Sequence, residues 1–380
     1  MAISSFPPAE GGGGAGGFYY YITELGTQTV DLPAGLYDVR SNAAVTVEGV
    51  AVDGDTGLIN YPSGVSSLKP AALYNLDDWT SRNADFGSEL IQGLTHGDGL
   101  FVAGGGGWDG SKDVAVLTTS PDGITWTERT SAFGDNDIHG VAYGDGVYVA
   151  VGETGDMSTS PDGTTWTSRT SGFGSDDIFA VTHGDGLFVA VGQSGTLTTS
   201  PDGTTWTTRS SNKSDRIFAV TYGDGLYVFT TVEGDISTST NGSSWTARTS
   251  GFDAGDIIYG VAYGDGMYVA VGQSGVISTS PDGITWDLRT SGVSQSLRGV
   301  THGDGVFVAV GSSADMTTSP DGITWTSRTS GFGSTHIYAV THGDGVFVAG
   351  GYSGDMTTNA NLPVTTSLSL EPKSPLIELP

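Results

Sequence analysis

A chain of 380 residues with a formal net charge of −28 and no cysteine is closed to several classes of chemistry. Its charge repels phosphate backbones, so no nucleic-acid partner is expected, and disulfides and thiolate metal sites are excluded. No apolar stretch reaches the length of a membrane span, so a soluble chain without membrane insertion is expected.

Residues 1–17, "MAISSFPPAEGGGGAGG", read as a flexible Gly/Pro arm. They lack a basic region followed by an apolar run, so conventional secretion is not expected. From 18 to 58, "FYYYITE", "TVDLPAGLYDVR" and "AAVTVEGVAV" are Val-, Tyr- and Thr-rich runs broken by turn residues, which predicts a small β module. So short a segment buries too little surface to be comfortable alone. Within it, "DGDTG" at 53–57 opens like a calcium loop but lacks the later bidentate Glu, and a surface turn is the expectation. Residues 59–76 read as a linker, 77–358 as the main body, and 359–380, with its prolines, as an extended tail.

The main body is a repeat. Gly-Asp-Gly begins at Gly97, Gly144, Gly184, Gly223, Gly264, Gly303 and Gly343, at spacings of 47, 40, 39, 41, 39 and 40. A Ser-Pro-Asp-Gly-like turn precedes Trp126, Trp166, Trp206, Trp245, Trp286 and Trp325, with a degenerate seventh copy at Trp79. Four short strands in some forty residues fit one propeller blade. The fold class expected is therefore all-β: a seven-bladed β-propeller with four-stranded blades, preceded by the small β module. The last unit never reaches a Trp strand, whereas the first unit opens with one, "DDWTSR"; the N-terminal strand is expected to complete the last blade and leave no open edge.

A feature present seven times is most simply a fold element. The Asp of Gly-Asp-Gly suits a tight hairpin. The residue before it is His at 96, 183, 302 and 342 but Tyr at 143, 222 and 263, an exchange that a packed ring tolerates and a general base or metal ligand does not. In the second turn the acceptors are Asp122, Asp162, Asp202, Asp282 and Asp321, with Asn241 in their place once, so hydrogen bonding rather than charge is the constraint. Neither cofactor nor metal is expected.

The Ser-Pro-Asp-Gly-x-Thr-Trp turn resembles the Asp-box of bacterial neuraminidase repeats, one residue shorter than the usual Ser-x-Asp-x-Gly-x-Thr-Trp. The resemblance covers the body from Trp79 to Thr358 and implies a propeller; Asp-box propellers include glycosidases, assembly factors and binding proteins. The run "VAVGxxGxxxTSPDGxTW" is also similar to repeats in tail and virion proteins of tailed phages. A sialidase implies three converging arginines. Here Arg82, Arg129, Arg169, Arg209, Arg248, Arg289 and Arg328 occupy one repeat slot after the Trp, which leaves only Arg40, Arg216 and Arg298.

Both repeated turns fall on one end of the ring, so variation concentrates on the other. Its connections carry Phe86, Phe133, Phe173, Phe252 and Phe332 as expected rim packing, and Lys213, Arg216, Arg298 and His336 as departures from the pattern. The first blade's insertion, "GGGGWDGSKD", is expected to place Trp108 and Lys112 in the second turn on this end, as contact candidates. The resulting expectation is a non-enzymatic virion protein of a tailed phage, docked by its ends to other virion proteins in an oligomeric assembly and displaying the propeller to a host-surface glycan or protein. A cytoplasmic assembly scaffold is the alternative, and a sialidase-like glycosidase the third reading.

Overall fold

The computed structural model describes residues 76, 78–108 and 113–360 within one compact unit, and the backbone of eight strands in a second unit drawn from 1–75 and 361–380. In the second unit, Phe18–Ile22, Thr366–Pro372, Gly35–Ser41 and Leu58–Tyr61 form one four-stranded sheet in that order. Gln28–Leu32, Gly64–Pro70, Val45–Val47 and Val50–Val52 form another. Two of these strands thus occupy the stretch read as a linker, and one occupies the stretch read as a tail. The tail strand pairs antiparallel on both edges, from Phe18↔Leu370 on one side and Val39↔Leu370 on the other. A module of a few short strands gains paired edges this way. The 1–17 arm and the Asp53 to Gly57 turn lie outside the described residues.

The large unit is a seven-bladed β-propeller of four-stranded antiparallel sheets. Blade 1 runs Leu90–Gly97, Leu100–Trp108, Asp113–Ser120 and Thr127–Arg129 from the axis outward, and blades 2 to 6 repeat the order. Blade 7 takes Ile337–Gly343, Val346–Gly351 and Asp355–Ala360 from the end of the body and its outer strand, Thr80–Asn83, from the beginning. The register Met356↔Arg82 and a 2.8 Å bond from Arg82 Nε to Thr358 Oγ1 fasten this joint.

Each turn follows from its residues. In Gly-Asp-Gly the Asp has φ of 43–47° and the second Gly φ of 69–79°, the pair of positive values that a two-residue type I′ hairpin needs. The first Gly is required for another reason: a Cβ on Gly184 would sit 2.1 Å from the ring of Tyr222 in the next blade, and one on Gly144 2.0 Å from His183. The same overlap recurs around the ring and ends with Gly343 beneath His96, so blade 7 closes on blade 1 as every other pair does.

The His/Tyr alternation has a partner one strand away. His96, His183, His302 and His342 lie against Phe101, Phe188, Phe307 and Phe347 at 4.4–4.5 Å between ring centroids. Tyr143, Tyr222 and Tyr263 lie against Tyr148, Tyr227 and Tyr268 at 4.6 Å. In the first kind of blade the His Nε2 sits 3.1–3.5 Å from the Asp of the preceding turn, as in His183 to Asp145. In the second kind the buried phenol donates instead to a carbonyl of that preceding turn: Tyr148 to Gly97, Tyr227 to Gly184 and Tyr268 to Gly223. Burial pushes the Tyr148 phenol up to about 12, so it remains a donor.

The Ser-Pro-Asp-Gly turns work as capped loops. Asp202 Oδ1 accepts from the N–H groups of Thr204 and Thr205, both at 2.8 Å, and from Ser200 Oγ. These donors, led by Thr165 for Asp162 and Thr205 for Asp202, hold both carboxyls well below the usual carboxylate range. Asn241 Oδ1 accepts the equivalent pair at 2.9 Å without a charge. The Trp then donates back to the turn glycine, 3.0 Å for Trp126 to Gly123 O, and buries its face in the seam with the preceding blade; Trp126 lies in one cluster with Val348 and Met356.

Two outcomes test this packing. Gly184→Ala is expected to destabilise the fold by about 3 kcal/mol, against about 1 kcal/mol for Gly146→Ala, whose added carbon meets nothing and bears only the left-handed backbone cost; urea unfolding measures both, and equal losses contradict the overlap. His96→Tyr alone is expected to cost about 1 kcal/mol for the lost bond to Asp344, and adding Phe101→Tyr is expected to recover most of it by reproducing the Tyr–Tyr arrangement of blade 4. A double-mutant cycle without that recovery rejects the coupling.

Candidate functional site

The other end of the ring is built on a sevenfold irregularity. In every blade the register of the two inner strands shifts by one residue near the start of the first strand. The residue skipped is Gln92, His139, Phe179, Phe218, Tyr259, Arg298 or Tyr338 in blades 1 to 7. A bulge bends the strand and re-aims one side chain. Because first strands are the innermost of each blade, the re-aimed side chains gather around the axis, all of them half-buried.

They touch in sequence. His139 stacks on Phe179 at 5.5 Å and 21°, Phe179 meets Phe218 at 5.3 Å, and Phe218 meets Tyr259 at 5.6 Å. The guanidinium of Arg298 then lies between Tyr259 and Tyr338, 4.9 and 5.4 Å from their ring centres, and its Nε donates to Ser312 Oγ at 3.2 Å. Gln92 Nε2 donates to Asp137 Oδ2 at 3.3 Å. The result is an aromatic collar with one cation set into it.

The collar's charge is uneven. Carboxylates Glu153 and Asp177 act on His139 as nearby opposite charges. Burial nevertheless dominates and holds that imidazole below its ordinary range, although those charges and the Ile178 carbonyl oppose the shift. His139 Nδ1 lies 3.2 Å from Ile178 O; a carbonyl only accepts, so Nδ1 carries the proton. On the opposite arc stands Arg298, whereas the exposed Arg216 lies 5.9 Å over Phe179, on the same side as His139.

The sequence-predicted contact residues divide accordingly. Arg298 is a collar residue and Arg216 stands at its rim. Lys213 is tied to Asp235 in an ion pair. His336 Nδ1 accepts from the Ser313 N–H at 3.1 Å and belongs to the turn between blades 6 and 7. The Lys112 position and the Trp108 side chain lie outside the described residues. The backbone does place Trp108 in a strand, opposite Asp113, rather than in the turn expected for it. The glycine run makes that possible. A Cβ on Gly105 would lie 1.8 Å from Leu90 O, and one on Gly106 2.3 Å from Asp137 Oδ1, so only glycines can extend the hairpin along this path. Phe86, Phe133, Phe173 and Phe332 are buried and Phe252 half-buried, consistent with packing.

The repeated arginines are absorbed elsewhere. Each donates from Nε to a Thr of the third strand in its own blade, as Arg169 does to Thr159 at 2.8 Å and Arg209 to Thr199 at 3.0 Å. Blade 7 makes the same bond with Arg82, which comes from the start of the body. They are spread around the outside of the ring and do not converge.

No protein-family model matches the chain, and no curated protein does. Solved structures do match. YCF48 from Cyanidioschyzon merolae is 16% identical with a TM-score of 0.58, over 74% of this chain and 98% of its own. YCF48 bound to a D1 peptide is 16% identical with a TM-score of 0.61, over 77% and 99%. Virginiamycin B lyase from Staphylococcus aureus is 12% identical with a TM-score of 0.63, over 77% and 99%. These likenesses establish the shared propeller fold. They join an enzyme to a peptide-bound protein, so the fold leaves activity to be argued from the site.

His139 provides a direct check on the collar. Its lowered pKa means that the unfolded chain binds the proton more readily, so this residue's contribution to stability is complete above about pH 6.5 and is lost as pH falls through the depressed folded value. Imidazole NMR is expected to give His139 a midpoint below about 6.5. A midpoint at or above that value contradicts its burial between Phe179 and the ring wall.

Proposed function

We propose that the chain is a non-enzymatic structural and binding protein of a tailed-phage particle, displaying the propeller outward with the collar end as its working surface. The observation that carries the binding half of this reading is the convergence of seven bulge side chains, five of them ring-bearing, on one end of the axis. Stacked rings and a bracketed guanidinium make a recognition surface. The repeated acids and histidines, by contrast, are engaged in turns and between blades. The virion half rests on the similarity of the "VAVGxxGxxxTSPDGxTW" run to phage tail and virion repeats.

The second reading, a cellular assembly scaffold, draws on the likeness in fold to YCF48 bound to a D1 peptide. It assigns the same end of the ring to a protein partner. The two readings separate in one experiment. Antibody-gold labelling of particles from the source culture, with serum against residues 79–358, is expected to mark a fixed place on the particle. Unlabelled particles, with the chain recovered in a stable complex from cell lysate, overturn the virion reading in favour of the scaffold.

A further inference from the structure

We infer that the collar binds a saccharide residue bearing one carboxylate, with Arg298 as the carboxylate anchor and the neighbouring rings as the platform for the sugar. The inference rests on the collar end being the working surface, as proposed above, and specifies its ligand.

The anchor is pre-built. Tyr259 and Tyr338 hold the guanidinium of Arg298 from two sides and Ser312 fixes its Nε, so the remaining N–H groups are oriented before any ligand arrives. A planar guanidinium with its fork left over matches a carboxylate with two parallel hydrogen bonds. Among the described residues Arg298 makes no ion pair, nor does Arg216 at the rim. That is a costly choice in a chain with 42 acidic residues and 14 basic ones, where a carboxylate partner is easily supplied. Lys213, only three residues from Arg216, does take one.

The surroundings select the rest of the ligand. Flat, half-buried rings of Phe179, Phe218 and Tyr259 offer apolar walls to the C–H faces of a sugar. Across the collar, Asp137 and Asp177 are already oriented, by Gln92 and by the Thr154 N–H at 3.0 Å, and as carboxylates they accept hydrogen bonds from hydroxyl groups. The same carboxylates repel a ligand with several negative charges, which disfavours an acidic peptide. One negative charge, several hydroxyls and an apolar ring face describe an acidic sugar.

Calorimetric titration of the full chain tests this with two matched pairs: galacturonic acid against galactose, and 3′-sialyllactose against lactose. The acidic member of at least one pair is expected to bind about tenfold or more tightly than its neutral partner, and Arg298→Lys to remove that difference with an unchanged unfolding midpoint. Tyr338→Leu, which takes away one face of the bracket and no charge, is expected to weaken the acidic sugar about three- to tenfold. Equal binding within both pairs, an unaffected Arg298→Lys, or tighter binding of a tri-glutamate peptide overturns the inference. Particle labelling does not depend on any sugar, so a labelled particle with an indifferent collar rejects this ligand alone.

Discussion

One contact repeated seven times holds the ring together: an aromatic side chain of each blade lying on a glycine of the blade before it. It leaves no space for a Cβ on that glycine, and each copy sets a polar group against the preceding turn. Where the ring is His, Nε2 lies 3.1–3.5 Å from the preceding Asp, hydrogen-bonded at His96 and His342; where it is Tyr, a second Tyr donates to a preceding carbonyl. The same geometry recurs between blades 7 and 1. Closure therefore needs no special device beyond the borrowed outer strand, which supplies both a hydrogen-bonded edge and the seventh Arg–Thr bond.

This arrangement commits one end of the propeller to structure. Its Asp residues either turn the chain at positive φ or accept backbone N–H groups, and its histidines sit against phenylalanines in the seams. Charge is incidental to the second turn, since Asn241 accepts the same two bonds as Asp202. The opposite end is freed by contrast. A bulge repeated in every blade aims one side chain inward, and no packing rule forces those seven to be alike. Gln, His, Phe, Tyr and Arg all occur there, which is how a repeat presents a single asymmetric surface.

The ring and its closure were legible because turn chemistry repeats in residue type: Gly-Asp-Gly and the Trp turn mark every blade, and the absent Trp strand at the end matches the surplus one at the start. The collar was hidden for the converse reason. Its position varies in type, and a bulge breaks the period-two alternation on which strand reading depends. Arg298 stood out because it is an uncommon residue type here, while Phe179, Phe218, Tyr259 and Tyr338 passed as ordinary strand residues. The available signal was a large side chain before Gly or Ala at the same place in each repeat, as in "IFAV", "IYGV" and "LRGV". The pairing of His with Phe and Tyr with Tyr, strict across "THGDGLF" and "AYGDGVY", was also present in the letters. The strands at 58–70 and 366–372 were missed because their prolines and short lengths read as linker and tail, whereas pairing on both edges decides.

On the proposed function the propeller has a structural end and a recognition end, and one alanine scan across both tests that division. Each variant would be read for its unfolding midpoint and for retention on cells of the source culture. Substitutions at Asp145, His183 and Asp202 are predicted to lower the midpoint while leaving retention by the folded fraction intact. Those at Phe179, Phe218, Tyr259 and Arg298 are predicted to abolish retention at a nearly unchanged midpoint. Retention lost from the turn end, or collar variants that bind as well as the parent, would contradict it.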